Sequence, residues 1–229
     1  MESTAQPPQV IYEDNHLVVV DKPALLATMG VGEDEPSLVK WTKQWLKRKY
    51  QKPGNVYLGV VSRLDAFTSG ILVLAKTSKA AARLTKQFQN KAPLKTYTAI
   101  LENRPADPKG SLTDWLIKDD GLRRMVVCQP DRPGSRKAEL TYETLGYDRD
   151  RALVRIRLLT GRKHQIRVQF ASRDLPILGD RKYAAEHSFP RGIALHSTSL
   201  VFQHPVRPEE MSFRVEPPKY WKLGRFGHK

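Results

Sequence analysis

The chain has 229 residues, 40% of them hydrophobic and 28% charged, and 39 Lys and Arg against 24 Asp and Glu leave it at +15. That length supports one sizeable core, either a single large domain or two lobes around a cleft, and no apolar run approaches membrane-spanning length. The only cysteine, Cys128, excludes an intrachain disulfide and a thiolate metal cluster, while dispersed positive charge favours a polyanion, nucleic acid first.

In chain order, residues 1–9 are polar, carry no apolar signal-peptide core and read as a flexible tail ahead of one domain over 10–229. Leu17-Val-Val-Val20 predicts a short strand that Lys22-Pro23 stops. A loop over 30–35 precedes a helix that starts at Pro36-Ser37 and runs to about Tyr50. Its Leu38, Trp41, Trp45 and Leu46 have the spacing of a core-facing stripe, which weighs against base-stacking tryptophans. Residues 71–75 predict a buried strand, followed by a helix with Ser78 as N-cap and Ala81, Leu84 and Phe88 as its stripe. Strands are expected at 94–101, 123–128, 136–146 and 151–159, the last with Arg155 and Arg157 on one solvated face. Gly161-Arg162 turns the chain into a helix from near Lys163, and 193–203 and 211–216 read as closing strands. Many strands and few helices, without regular alternation, argue for an α+β fold with a large mixed, mainly antiparallel sheet.

The stretch Val61-Ser-Arg-Leu-Asp-Ala-Phe-Thr-Ser-Gly70 carries the chemistry. It sets Asp65 between Arg63 and a Thr68-Ser69-Gly70 turn, immediately before the buried strand. A carboxylate there is costly to desolvate unless a cation and hydrogen-bond donors satisfy it. Asp65 is therefore either a cap for that turn or a reactive group. The histidines His16, His187, His196, His204 and His228 lack close metal-ligand spacing. Neither G-x-x-x-x-G-K-[ST] nor G-x-G-x-x-G occurs. No metal and no cofactor are expected.

Arg63-Leu-Asp65 followed by Thr68-Ser69-Gly70 resembles the catalytic signature of the RluA-type pseudouridine synthases. Further stretches agree in order: Ile11-Tyr-Glu-Asp-Asn-His-Leu-Val-Val-Val-Asp-Lys-Pro23, Lys95-Thr-Tyr97, Leu159-Thr-Gly-Arg-Lys-His-Gln-Ile-Arg-Val168, Pro176-Ile-Leu-Gly-Asp180 and Ala194-Leu-His196. The resemblance implies the pseudouridine synthase fold, with two lobes around a basic active-site cleft. It also implies isomerisation of specific uridines in structured RNA, a stem-loop of rRNA or tRNA that offers a nucleotide for flipping. Asp65 is then the essential carboxylate and Arg167 its cationic partner, holding it by a bidentate bond. On a helix from 163, His164 and Arg167 would share a face. Tyr97 stacks on the uracil, Leu195 forms the opposite wall, and Arg63 enters the RNA where the target leaves or else pairs structurally with Asp65. Thr68, Arg162, Lys163 and His164 complete the expected RNA-binding set.

One departure is Ser62, where the family usually has His. The single cysteine and the absence of a signal-peptide core fit a reducing cytoplasm, a monomer without membrane attachment is expected, and no S4-like module fits before residue 10. The alternative is a non-catalytic RNA-binding or ribosome-assembly protein on the same fold. A glycosidase of free nucleosides is disfavoured, since a neutral substrate gains nothing from a strongly positive field.

Overall fold

The computed structural model describes residues 7–227, so the expected tail at 1–9 lies outside them up to residue 6, as does His228. Gln9 already opens the first strand. The described chain forms strands β1 (Gln9–Glu13), β2 (Leu17–Lys22), β3 (Gly59–Val60), β4 (Ser69–Ala75), β5 (Leu94–Leu101), β6 (Lys109–Asp119), β7 (Arg124–Cys128), β8 (Arg136–Asp148), β9 (Arg151–Leu158), β10 (Leu195–Gln203) and β11 (Glu210–Arg214). Its α-helices are α1 (Leu38–Lys49), α2 (Ser78–Gln89) and α3 (Gln165–Ala171). The class is α+β, as the element pattern predicts. Contacts divide the chain into two units, the first running to Pro93 with Ser197–Val215 and the second holding Leu94–His196 with the chain from Glu216.

In the first unit β2 pairs antiparallel with β1 and β4, β3 adds to β4, and β10 pairs antiparallel with β11. β4 is buried along its whole length, which explains its unbroken apolar run. Leu17, Val19, Ile71, Val73, Leu84, Leu200 and Phe202 join in one core, and Phe88 packs on its margin. The Ser37 side chain caps α1 by accepting from the Lys40 N–H, and Lys47, Arg48 and Lys49 suit its C-terminal dipole. Leu38 and Leu46 are buried as expected, but Trp41 and Trp45 are only half-buried. Their rings stack on each other at 6.5 Å, and Lys49 lies over Trp45. The helical spacing recovered the face but not its depth, because indoles seldom fit wholly inside. The N-cap of α2 is Thr77, one residue before the expected Ser78.

In the second unit the antiparallel order is β5-β9-β8-β6-β7. β6 has no counterpart in the sequence reading. Its buried positions are Leu112 and Leu116, and the same-face position between them is Asp114, which hides the alternation. Asp114 accepts from the Gln169 amide at 2.8 Å and from both terminal nitrogens of Arg173 at 2.9 and 3.0 Å, all on or just beyond α3. Arg155 and Arg157 are exposed together on β9, as read from the pattern.

Gly70 closes the first unit. Its φ is +111°, and an added Cβ would lie 2.3 Å from the Ser197 carbonyl oxygen. Gly70→Ala therefore combines left-handed strain with a backbone clash and should lower stability by about 3 kcal/mol or more in urea unfolding. A change below about 1 kcal/mol would mean that β4 and Ser197 can separate freely.

Candidate active site

Asp65 sits half-buried on the loop that feeds β4, and its carbonyl accepts from the Thr68 N–H at 3.1 Å. Thr68 and Ser69 are buried. On the other side, Thr28 Oγ1 donates to the Leu64 carbonyl at 2.8 Å and accepts from the Leu64 N–H at 3.3 Å. Lys22, wholly buried at the end of β2, ties the arrangement together. Its Nζ donates to the carbonyls of Pro23 at 2.9 Å, Leu26 at 2.7 Å and Ala66 at 3.3 Å. Three N–H groups thus meet three carbonyls, which is the full capacity of an ammonium. Burial pushes the Lys22 amine down to about 7, against the pull of the Asp65 and Asp21 carboxylates. Burial also pushes Asp21 up to about 6.

Lys22 was absent from the sequence-derived candidates, where Lys22-Pro23 served only to stop a strand. The available signal was a lysine aligned with the apolar residues of a buried β2. Arg63 proves different from one of its expectations: it is exposed and makes no ion pair among the described residues. Within this unit the cation that feels the Asp65 charge is Lys22. Arg63 is exposed, whereas Lys22 is buried and bonded to the Ala66 carbonyl next to Asp65.

In the second unit, Tyr97 is buried on β5 opposite Ile156 of β9, and Leu195 is buried at the start of β10. The turn before α3 is stapled by Gln165. Its side-chain oxygen accepts from Thr160 Oγ1 at 2.7 Å and the Arg162 N–H at 3.0 Å, and its amide donates to the Glu139 carbonyl at 3.0 Å. That staple leaves Arg162 and Lys163 exposed. The Arg162 side chain donates to the Lys137 carbonyl at 3.0 Å. Burial first, then the Arg162 charge, pushes the nearby Lys95 amine down.

The helix begins at Gln165 and not near Lys163, because His164 takes a left-handed φ of +53°. His164 and Arg167 therefore do not share a helical face by spacing. They meet on Tyr183 instead. The Tyr183 hydroxyl accepts from the Met125 N–H at 3.1 Å and lies 2.8 Å from His164 Nδ1, while Arg167 lies 5.0 Å over the Tyr183 ring. Arg167 is buried, and its bidentate carboxylate is Asp180, at 2.6 Å from Nε and 2.8 Å from Nη2. Asp180 belongs to a stretch the sequence had matched without assigning it a role.

The remaining described histidines have structural partners of their own. His204 Nε2 lies 2.9 Å from Asp14, and its Nδ1 accepts from the Arg207 N–H at 2.8 Å. Burial alone would raise the Asp14 carboxyl, but the N–H groups of His16 and Leu17, with His204 and Tyr12, hold it down at about 2. Among the described residues no group of three or more His, Cys, Asp or Glu could hold a metal ion.

A family model described as RNA pseudouridylate synthase matches residues 16–172. The dual-specificity RNA pseudouridine synthase RluA of Escherichia coli K12 is 34% identical over 220 residues, 91% of this chain and 95% of that protein. The chain is an RluA-type pseudouridine synthase. Ribosomal large subunit pseudouridine synthase D of Zymomonas mobilis is 32% identical over 228 residues, 95% of this chain and 71% of its own length. The solved structure of human RNA Pseudouridylate Synthase Domain Containing 4 superposes with a TM-score of 0.79 at 25% identity, covering 95% of this chain and 92% of that one. The large, mainly antiparallel sheet with few helices is the pseudouridine synthase fold. The activity is isomerisation of uridine to pseudouridine in RNA.

Two outcomes test the charges of this synthase. Arg167→Met strands the buried Asp180 and should cost about 3–5 kcal/mol in urea unfolding, much of which Arg167→Met/Asp180→Leu should recover. A single variant as stable as the double would mean that Asp180 does not depend on Arg167. For Lys22, the folded chain binds fewer protons than the unfolded one between pH 7 and the ordinary lysine value of 10.5. This group therefore makes stability rise with pH through that window. Lys22→Met should flatten the rise in Tm measured against pH, and an unaltered rise would show that Lys22 stays charged throughout.

Proposed function

We propose that this synthase acts on a uridine in an unpaired loop of structured RNA, rRNA or tRNA, with Asp65 as the essential carboxylate, Tyr97 as the stacking aromatic and Arg167 as the cation of the site. The observation that carries the reading is the held state of Asp65. Its loop is tied at Leu64, Ala66 and Thr68, while the residue stays only half-buried. A cap alone needs no such support, whereas a reacting group gains from a fixed position.

In the isomerisation the C1′–N1 bond breaks and a C1′–C5 bond forms. C5 loses a proton and N1 gains one, so atoms and charge balance. Asp65 acts at the ribose or the base, as a nucleophile or by stabilising developing positive charge. Tyr97 offers an aromatic face for the turning uracil and a phenol for the C5 proton. Arg167, clamped by Asp180 and stacked on Tyr183, supplies a planar donor whose orientation is set in advance. Arg162, Lys163 and His164 on the turn before α3, with Arg63 and Thr68 on the Asp65 loop and Leu195 as an apolar wall, form the RNA-contacting set. The excess of positive charge supports a large polyanionic substrate, and the Zymomonas relative, a ribosomal large subunit pseudouridine synthase, supports ribosomal RNA. A monomer over 10–229, working in the cytoplasm, fits these requirements.

The test is pseudouridine mapping by carbodiimide-stop sequencing in total RNA from a deletion strain carrying either the wild type or Asp65→Asn. The wild type should restore one or more sites. Asp65→Asn, which keeps shape and removes charge, should lower the rate at those sites by about 10³-fold or more with its fold intact. Restoration by the variant at even a few per cent of the wild-type rate would remove Asp65 from the chemistry.

A further inference from the structure

Beside the Asp65 loop the first unit leaves three large apolar side chains in water: Leu25, 52% exposed, Met29, 46%, and Phe67, 48%. They occupy two loops that are stitched to each other. Lys22 Nζ joins the carbonyls of Pro23 and Leu26 to that of Ala66, and Thr28 is bonded to Leu64 through both its donor and acceptor functions. Phe67 is two residues from Asp65, and Arg63, two residues on the other side, is exposed as well.

The backbone adds a second observation. Leu25 has φ +68°, in the region that favours glycine, and no Cβ-bearing residue adopts it without strain. The strain is held by the Lys22 bonds to the carbonyls of Pro23 and Leu26 on either side. A leucine placed there, with most of its surface in solvent, contributes little to the core.

We propose that Leu25, Met29 and Phe67 form an apolar ledge next to Asp65 that receives an unpaired nucleobase adjacent to the target uridine. The inference rests on the RNA pseudouridine synthase reading and deepens it. Three features select a nucleobase over a protein or lipid occupant. The ledge is continuous with the loop of the proposed catalytic carboxylate. It is flanked by the exposed Arg63, which suits a phosphate, and the whole chain carries +15. Phe67 offers a ring face to the base, and Leu25 and Met29 offer aliphatic contact. Base contact of this kind requires an unpaired nucleotide, so the ledge distinguishes loops from duplexes while the cations bind both.

The experiment compares binding of an RNA hairpin with a uridine-rich loop against a fully paired RNA duplex of equal length, at one salt concentration. Phe67→Ser should weaken hairpin binding by about 5- to 100-fold and leave duplex binding unchanged, while Phe67→Trp should keep wild-type hairpin affinity. Met29→Ser should shift the same ratio in the same direction, and it serves if Phe67→Ser does not fold. Equal weakening on both RNAs, or wild-type hairpin binding by both serine variants, would overturn the ledge; the latter is what a protein-docking patch would give. Pseudouridine formation on RNA from the deletion strain separates the two levels. If the wild type forms none, the synthase reading itself fails. If the wild type is active and the serine variants match its rate at low RNA concentration, only the ledge fails.

Discussion

A buried ammonium carries the structure around Asp65. Lys22 has no exposed surface, yet it donates to the Pro23, Leu26 and Ala66 carbonyls and feels the carboxylates of Asp65 and Asp21. Taking a cation out of water is expensive, and only near-complete hydrogen bonding makes it tolerable. In return the two loops that flank Asp65 share a single anchor, so neither can move without leaving a buried donor or acceptor unmet. The left-handed backbone of Leu25 is a local cost carried within that arrangement, and the positive φ of Gly70 is one that glycine takes without steric penalty.

The second unit handles its buried charge differently. Arg167 and Asp180 neutralise each other in a two-bond clamp, with the Tyr183 ring beneath the guanidinium. Tyr183 also joins the turn at His164 to Met125 on β7, so one phenol links the helix, the turn and the end of the sheet order. The Met125 N–H donates to that phenol at 3.1 Å, and His164 Nδ1 lies within hydrogen-bond distance of the same oxygen at 2.8 Å. A clamped guanidinium differs from a free surface cation. Its charge is largely compensated, and what it offers is orientation.

Charge elsewhere is spread over exposed arginines and lysines such as Arg155, Arg157, Arg162 and Lys163. Such side chains give long-range attraction and salt-sensitive affinity but little discrimination between one RNA and another. Discrimination has to come from shape and from contacts with unpaired bases. Half-exposed apolar residues near the proposed catalytic carboxylate suit that task, since they add contact area where phosphates cannot reach.

The sequence by itself determined the elements whose periodicity is strong. Residues 94–101 alternate and become β5, the run at 71–75 becomes the buried β4, and Ser37 marks the start of α1. It also determined the family, because several short motifs fall in one order along the chain. Asp65 was legible as a candidate for a further reason: a carboxylate next to a buried strand is rare enough to need a cause. Tertiary structure alone decided the partners. β6 stayed hidden because Asp114 occupies an inward position, and only Gln169 and Arg173, more than fifty residues later, make that position tolerable. Lys22 looked like a strand stop because the burial of its amine and its bond to the Ala66 carbonyl, 44 residues on, are tertiary. Asp180 had no role because its guanidinium, on Arg167, belongs to a different element. Local pattern encodes which residues turn inward. Which charge meets which is a matter of long-range placement, and electrostatic and hydrogen-bond satisfaction in a buried site is set only when the chain has closed.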